Sequence, residues 1–196
     1  MTDTNMESFQ NLVYCEDADI VCVNETWLTK DVKNPEILHS GDDTYRNDRG
    51  SRGGEALLAT KISSFKSVRE IQHGHDLQIS VAEITTNSNE NLLICSPSSD
   101  HSWIDKFNNF WRDVYLRHTN LLLAGHFNMP RISLDSPEKT SGGNENTFVE
   151  LLHDHFLEQL NTAPTSGKYT FDLVLTNVPN KVKISEILSP AQAELY

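Results

Sequence analysis

The sequence predicts a layered α+β fold, and the prediction depends on a hairpin pattern and on helical patterns between later strands. Residues 77–81 alternate between apolar and polar side chains, and the polar segment 87–91 leads into an apolar run at 92–95, which indicates a half-buried strand in an antiparallel hairpin. A hairpin with helices inserted between later strands favours an α+β or layered α/β architecture over a strict βαβ barrel. The length of 196 residues suits one core, so we assign 1–196 to a single domain.

The sequence patterns in the first part of the chain predict one helix and two strands. Apolar side chains recur at helical spacing over 6–13, and the helix should end at the polar break 17–19. Residues 20–23 form a short apolar run that is typical of a strand buried on both faces. Proline and glycine punctuate 29–54, which predicts a loop, and the apolar run 56–59 predicts the second strand.

The sequence patterns after the hairpin predict two helices and two strands. The first helix carries apolar side chains on one face, namely Trp103, Phe107, Phe110, Trp111, Val114 and Tyr115. Ser102 and Asp105 have the spacing of a capping box at its start, and the apolar stripe is typical of a core-facing helix rather than a platform for base stacking. The runs 121–124 and 171–175 predict strands, and apolar spacing over 148–156 predicts the second helix.

Net charge limits the kinds of nucleic-acid protein that this chain could be. It has 16 Lys and Arg against 28 Asp and Glu, which gives a formal net charge of -12 at pH 7. Non-specific affinity for nucleic acid comes mainly from Lys and Arg that neutralise phosphates, so the composition argues against a simple DNA-binding module. The argument is weaker for a nuclease, because a divalent cation can bring phosphate to an acidic site.

Cysteine usage and hydropathy indicate a reduced, intracellular protein. Cys15, Cys22 and Cys95 are odd in number and form no C-x-x-C pair, so neither a disulfide framework nor a zinc site is indicated. The N-terminal segment is polar and acidic, and no apolar run approaches the roughly 18–20 residues of a membrane span. We therefore expect a cytoplasmic or nuclear location, no secretion, no membrane partner and no small-molecule cofactor.

Two predicted strand ends carry residue types that divalent-cation phosphodiester chemistry uses. Glu25 directly follows the first predicted strand, and His126 and Asn128 follow the run 121–124. Mg²⁺ prefers carboxylate oxygens and keeps several waters, so Glu25 is a candidate for the principal protein ligand of a metal ion. The amide of Asn128 can hydrogen-bond a phosphate oxygen or orient a water. On its own, a glutamate after a strand is more often a solvated loop residue.

Four blocks of sequence, in a fixed order, resemble one known family. Residues 19–28 (DIVCVNETWL) resemble the block DI(I/V)xxxETW, residues 121–128 (LLLAGHFN) resemble (I/L)xxGDFN, and residues 171–177 (FDLVLTN) resemble LDLVLTN. The remaining block combines 45–49 with the Arg-Gly-Gly of 52–54. Together the blocks are similar to the nuclease domain of LINE-type (non-LTR) retrotransposons, in the endonuclease/exonuclease/phosphatase superfamily, which is itself similar to apurinic endonucleases and DNase I.

The resemblance implies a fold, an activity and roles for three residues. The fold is a DNase I-like αββα four-layer sandwich, here lacking its first and last strands. The activity is Mg²⁺-dependent nicking of DNA, with Mn²⁺ as an alternative metal. Glu25 matches the metal-binding glutamate, Asn128 the asparagine that orients the phosphate, and Asp172 the aspartate that holds a catalytic histidine. The implied partners are DNA and, in the parent element, a downstream reverse transcriptase domain.

The chain departs from the family at positions that carry the chemistry. His126 stands where the family has aspartate, and 94–100 has neither the tyrosine nor the arginine of the family's Tyr-Arg-Pro stretch. The opening strand with its asparagine would lie before Met1, and the closing Ser-Asp-His block would lie beyond Tyr196. An imidazole can act as a general base at neutral pH, but beside a divalent cation it is a neutral and softer ligand than a carboxylate. We therefore expect an impaired nuclease, or pseudoenzyme, and whether the chain is an enzyme stays open.

The nucleic-acid contacts and the overall function each have alternatives. Arg46, Arg49 and Arg52 form the densest basic cluster, and they could contact a DNA backbone or be ordinary surface charge. Two other functions remain open. One is a non-catalytic remnant that binds nucleic acid or another protein, and the other is a phosphoesterase that acts on small phosphorylated substrates.

Overall fold

Helices and strands follow one another in the predicted order, with a few additions. The computed structural model describes residues 3–24, 26, 28–38, 41–47, 56–72, 77–97, 103–115, 117–129, 131–132, 140–161, 163–165 and 169–184. In chain order the elements are α1 (Asp3–Glu16), β1 (Ile20–Asn24), α2 (Asn34–Ile37), β2 (Asp42–Asn47), β3 (Ala56–Lys61), β4 (Ser67–Glu70), β5 (Ile79–Thr85), β6 (Asn91–Pro97), α3 (Trp103–Tyr115), β7 (Leu121–His126), α4 (Gly143–Asp154), β8 (Glu158–Gln159) and β9 (Asp172–Thr176). No helix in these ranges combines the length and the apolar character needed to cross a membrane.

The described strands form two sheets. The small sheet has the order β1-β3-β2, and β3 is antiparallel to both neighbours. The large sheet has the order β4-β5-β6-β7-β9-β8, in which β6 and β7 are the parallel pair. A parallel pair needs a crossover connection, and α3 supplies it here. The short strands β4 and β8, at the two edges of the large sheet, have no counterpart among the sequence predictions.

Apolar side chains on the two faces of the small sheet belong to different clusters. On the outer face, Leu57 and Ala59 of β3 share a cluster with Val13 of α1. On the inner face, Leu58 shares a cluster with Ile94 of β6. Successive side chains of a strand point to opposite faces. Alternate residues of β3 therefore pack against the helix layer that contains α1 on one side and against the large sheet on the other.

The outer face of the large sheet carries the third cluster. Leu93 of β6 and Leu123 of β7 share it with Phe107 of α3 and Phe148 of α4. Three clusters therefore separate four layers in the order helix, sheet, sheet, helix. This is the αββα sandwich that the sequence predicts.

Helix α3 is buried along the stripe that the sequence predicts. Phe107 and Phe110 have no exposed surface and Trp111 is 2% exposed. The rings of Phe107 and Trp111 are stacked with centroids 5.6 Å apart, and Trp103 meets Phe107 edge-on at 4.7 Å. The stripe is therefore part of the core, as predicted. The capping residue proposed for its start, Ser102, lies outside the described residues.

The prediction of a loop over 29–54 is wrong in part, because α2 and β2 lie in this stretch. Strand β2 pairs with β3 from Asp42 opposite Lys61 to Asn47 opposite Ala56. All six residues of β2 are half-buried, and the sequence DDTYRN has one large apolar side chain. The burial of β2 comes from its pairing with β3, so its own composition gives little signal.

Two predictions of strand burial are also wrong. The apolar run 20–23 predicts a strand buried on both faces, but every residue of β1 is half-buried because β1 is an edge strand in the described part of the small sheet. The alternation over 77–81 predicts a half-buried strand, yet the residues of β5 from Ile79 to Ile84 are buried except Glu83. Strand β5 lies inside the large sheet, with other layers packed on both of its faces.

Candidate active site

Strand ends from both sheets meet at one edge of the sandwich, which we call the rim. In the small sheet, Asn24 and Asn47 are both register partners of Ala56. In the large sheet, Ile79 is the partner of Pro97, and His126 is the partner of Asp172. The rim is the set Asn24, Asn47, Ala56, Ile79, Pro97, Gly125, His126 and Asp172. Strands β6 and β7 are parallel, so their C-terminal residues Pro97 and His126 lie at the same end.

Asn24 joins the two sheets at the rim. Its Nδ2 donates a hydrogen bond to the carbonyl oxygen of Pro97 at 2.5 Å. Gly125 lies against the same pair: a Cβ on it would be 2.3 Å from that carbonyl oxygen and 3.0 Å from Oδ1 of Asn24. The glycine of the block 121–128 is thus required by close approach of the backbone of β6.

Three further polar side chains connect the sheets near the rim. Asn47 donates from Nδ2 to the carbonyl oxygen of Leu77 at 3.1 Å. The buried hydroxyls of Ser80 and Ser96 donate to the carbonyl oxygens of Ala56 at 2.9 Å and Leu57 at 3.3 Å. Each bond satisfies a polar group that would otherwise be buried without a partner between the sheets. The separation of the two sheets at the rim is therefore set by hydrogen bonds as well as by apolar packing.

His126 and Asp172 form a pair at the rim. Nδ1 of His126 is 3.0 Å from Oδ1 of Asp172, and the two side chains are 23% and 24% exposed. Side chains two or four positions apart on a strand lie on the same face of the sheet. His126 therefore shares a face with Leu122, and Asp172 shares a face with Val174. Leu122 and Val174 belong to the apolar cluster between the two sheets. The other carboxylate oxygen of Asp172, Oδ2, is buried and has no hydrogen-bond partner among the described residues.

Two buried polar residues hold the backbone of Asp172. The hydroxyl oxygen of Thr165 accepts the backbone N–H groups of Phe171 at 3.0 Å and Asp172 at 3.2 Å. Asn161 donates from Nδ2 to the carbonyl oxygen of Asp172 at 3.1 Å. Thr165 and Asn161 are each 7% exposed. Sequence reasoning missed both residues, although Asn and Thr around Pro164, just before a strand, are typical of side chains that bond to a neighbouring backbone.

Asn128 is presented by a tight segment after β7. Its φ is 49°, a left-handed conformation that asparagine adopts more easily than most residues. Phe127 and Met129 on either side are 0% and 4% exposed, whereas Asn128 itself is exposed. Its side chain makes no hydrogen bond with the rest of the described chain. The buried neighbours therefore anchor a segment that leaves this amide open to a ligand.

The same segment is held to α4 by an ion pair. Arg131 donates from Nε to Oε1 of Glu145 at 3.1 Å and from Nη2 to Oε2 at 3.4 Å. Glu145 is 5% exposed, and the backbone N–H of Ile132 donates to the carbonyl oxygen of Met129 at 3.2 Å. The turn after Asn128 is thus fixed at both ends.

Comparison with known proteins is informative at the level of structure. No known family profile matches the sequence, and no curated protein sequence matches it. The endonuclease domain of TRAS1, a telomere-specific non-LTR retrotransposon, aligns over 88% of this chain and 77% of its own at 15% identity, with a TM-score of 0.62. The catalytic domain of human Nocturnin aligns over 90% and 75% at 11% identity, with a TM-score of 0.60. The 3′-5′ exonuclease NExo from Neisseria meningitidis aligns over 98% and 84% at 18% identity, with a TM-score of 0.59.

The chain has the endonuclease/exonuclease/phosphatase fold. The αββα sandwich that the sequence blocks imply is therefore confirmed, and a retrotransposon endonuclease domain is among the structures with this fold. Blocks 121–128 and 171–177, which are far apart in the sequence, are brought together by the pairing of β7 with β9.

Several of the site residues predicted from the sequence lie outside the described residues: Glu25, Arg49 and Arg52. Arg46, the third member of the basic cluster, is described in β2. Its Nη1 donates to the carbonyl oxygen of Val32 at 2.6 Å, and its Nη2 donates to that of Thr29 at 3.0 Å. The guanidinium of Arg46 thus fixes the segment before α2 against β2.

The described residues include one carboxylate at the rim, which does not by itself make a metal site. Among them, no three His, Cys, Asp or Glu side chains are grouped closely enough to hold a metal ion. Asp172 contributes one carboxylate to the rim, and its buried Oδ2, which has no partner among the described residues, suits a cation or a donor. Mg²⁺ commonly takes one or two protein carboxylates and several waters. The candidate for the principal ligand that we predict from the sequence is Glu25, the residue that follows Asn24 of the rim.

Proposed function

We propose that this chain is a metal-dependent DNA endonuclease domain, derived from a LINE-like retroelement, that nicks DNA by phosphodiester hydrolysis with impaired catalysis. The observation that carries the proposal is the pairing of His126 with Asp172 at the rim, at 3.0 Å. This contact unites the two blocks that resemble the nuclease family and does so beside the strand end that precedes Glu25. The parent protein would carry a downstream reverse transcriptase domain.

Residues of the rim and their near neighbours in the sequence would have distinct tasks in such a reaction. Glu25 would hold Mg²⁺, or Mn²⁺, and that ion would supply charge neutralisation at the phosphate and at the leaving oxygen. The exposed amide of Asn128 would donate to a phosphate oxygen. Asp172 would orient the imidazole of His126.

DNA is the proposed substrate because of the fold and the blocks together. A structure of NExo with a product DNA hairpin has the same fold, with a TM-score of 0.56 at 17% identity. Arg49 and Arg52 remain candidates for phosphate contacts, whereas two nitrogens of Arg46 already donate to backbone carbonyls. The basic cluster is therefore smaller than the sequence suggests, which counts against a remnant that binds nucleic acid through these three arginines alone.

We place the activity in the cytoplasm or nucleus, where free thiols stay reduced.

Impairment is expected because His126 changes the chemistry of the rim in two ways. An imidazole nitrogen replaces the oxygens of a carboxylate, which is the ligand type that a hard cation prefers. The imidazole also occupies Oδ1 of Asp172, the carboxylate that holds a catalytic histidine in the family that the blocks resemble.

Nicking of supercoiled plasmid in Mg²⁺ tests this function. We expect slow nicking by the wild-type chain, a rate at least tenfold higher for His126→Asp, and none above background for Glu25→Gln. His153→Asp, an exposed residue of α4, is the matched control and should behave as wild type. Fast wild-type nicking that depends on Glu25 would overturn the claim of impairment. Absence of nicking by folded His126→Asp protein would overturn the claim of a nuclease.

A further inference from the structure

Arg131 is an exposed arginine that closely follows Asn128 in the chain. The backbone N–H of Ile132 donates to the carbonyl oxygen of Met129 at 3.2 Å, which closes a tight turn directly after Asn128. Three residues span at most about 11 Å, which is roughly three nucleotides of one DNA strand at about 3.4 Å each. A strand with a phosphate at the amide of Asn128 therefore has other phosphates near the side chain of Arg131.

A buried carboxylate holds the guanidinium of Arg131. Nε donates to Oε1 of Glu145 at 3.1 Å, and Nη2 donates to Oε2 at 3.4 Å. The side chain of Glu145 is 6% exposed, whereas that of Arg131 is 62% exposed. Gly142 leaves room for the pair, since a Cβ there would be 2.8 Å from Nη2 of Arg131 and closer still to Oε2 of Glu145. One edge of the planar guanidinium is therefore fixed against the protein.

The end of the same guanidinium offers a second, outward-facing pair of donors. Arginine has five N–H donors in a rigid planar fork, and the bonds to Glu145 use two of them. The side chain of Arg131 makes no other hydrogen bond with the described residues. The remaining donors are those of Nη1 and the outer N–H of Nη2, and such a pair matches two oxygens of a phosphate.

We propose that Arg131 is a DNA-binding residue that donates through Nη1 and Nη2 to a backbone phosphate near the one that Asn128 contacts. This role rests on the nuclease function proposed above. Glu145 orients the guanidinium before DNA arrives, so the side chain loses less conformational freedom on binding. Phosphate contacts carry no sequence information, so Arg131 positions the strand and leaves the choice of target to other residues.

The ion pair also stabilises the fold, and the variants must separate this effect from DNA binding. Arg131→Gln alone leaves the carboxylate of Glu145 buried without its cation, which destabilises the protein. Arg131→Gln combined with Glu145→Gln removes one positive and one negative charge, so the formal net charge stays at -12. This double variant should unfold in urea close to wild type. Arg131→Lys keeps a cation for both the carboxylate and the phosphate but lacks the planar fork.

Fluorescence anisotropy with a labelled short DNA duplex in EDTA measures the contact without metal or catalysis. In the double variant we expect the dissociation constant at low salt to rise about tenfold and the slope of log K against log[salt] to become shallower by about 0.9. Arg131→Lys should keep the wild-type slope. Arg112→Gln, an exposed position in the later part of α3, is the control and should bind close to wild type. Wild-type protein that does not bind DNA at low salt, or a double variant that binds as tightly as Arg112→Gln, overturns the proposal.

Nicking of supercoiled plasmid separates the phosphate contact from the nuclease function. Where plasmid is nicked, the double variant should raise KM about tenfold with a much smaller effect on kcat, because a contact away from the reacting bond binds the ground state and the transition state alike. If DNA affinity responds as expected but no variant nicks plasmid, the nuclease function fails and the phosphate contact stands. If plasmid is nicked and neither affinity nor KM responds, the phosphate contact fails alone.

Discussion

Asn24 and Pro97 are joined across the gap between the two sheets, since Nδ2 of Asn24 donates to the carbonyl oxygen of Pro97 at 2.5 Å. The bond ties the last residue of β1 to the last residue of β6. It therefore links the strand end that precedes Glu25 to the strands that carry the pair of His126 and Asp172. Apolar packing alone would let the two sheets slide past each other, so the geometry of the rim depends on this hydrogen bond between them.

Replacement of Asn24 by alanine should loosen this connection. The carbonyl oxygen of Pro97 loses its donor in a partly buried place, so we expect the free energy of unfolding to fall by about 1–2 kcal/mol in urea titrations. Asn87→Ala is the matched control, because Asn87 donates to the carbonyl oxygen of Ser64 at 3.4 Å in an exposed turn. That control should lose less than about 0.5 kcal/mol. Equal losses in the free energy of unfolding for the two variants would show that the bond from Asn24 to Pro97 stabilises the protein no more than an exposed hydrogen bond does.

Gly125 should not accept a larger side chain. A Cβ there would be 2.3 Å from the backbone oxygen of Pro97, which cannot move without displacing β6. We expect Gly125→Ala to destabilise the protein by about 1–3 kcal/mol, measured by urea unfolding, because the strands must separate to admit the methyl group. Gly41→Ala is the control, since nothing lies within 4 Å of a Cβ at that position. Loss of stability in the control alone would contradict this explanation.

Much of the fold is predictable because strand parity and helical spacing are local properties of the sequence. The alternation that sends Leu57 and Leu58 to opposite faces, and the stripe along α3, follow from residue type and spacing. The blocks also predict His126 and Asp172 as site residues. Strand β2 is not predictable in this way, because its six half-buried residues depend on β3 for their burial.

The supports of the site are hidden from the sequence for a different reason. Thr165 and Asn161 act through hydrogen bonds to the backbone at Asp172, and polar residues in a loop have many possible partners. Asn24 stands inside a recognisable block, but its bond to Pro97 joins residues 73 positions apart. Such bonds are fixed by sheet register and layer packing, which the local sequence does not encode.

The three thiols should differ widely in reactivity. Cys15 on α1 is exposed, whereas burial raises the pKa of Cys22 to about 12, an effect that a hydrogen bond with Ser96 opposes in part. Burial also raises the pKa of Cys95, and the nearby Cys22 adds to this. The thiolate is the reactive form, so at pH 8 we expect Ellman's reagent to modify one thiol rapidly in the native protein and all three in denaturant. Cys15→Ser should remove the rapid phase. A rapid native phase in that variant would contradict the assignment.

His155 should make the protein less stable in mild acid. Burial lowers its pKa, against a smaller opposing effect of Asp154, and its ring meets that of Trp111 edge-on at 5.5 Å. The folded state therefore binds fewer protons than the unfolded state once the pH falls below about 6.5, the ordinary value for histidine. The contribution of the neutral ring to stability is complete above that pH and is lost as the pH falls through the lowered pKa.

Urea unfolding at pH 7.5 and pH 5.5 measures this contribution. His155→Leu should lose less stability than wild type between the two pH values, because leucine has no proton to gain. His153→Leu is the matched control, since His153 is an exposed residue of the same helix, and it should keep the wild-type difference. Other groups that titrate in this range are common to all three proteins and cancel in the comparison. An unchanged difference in His155→Leu would assign the acid sensitivity to other residues.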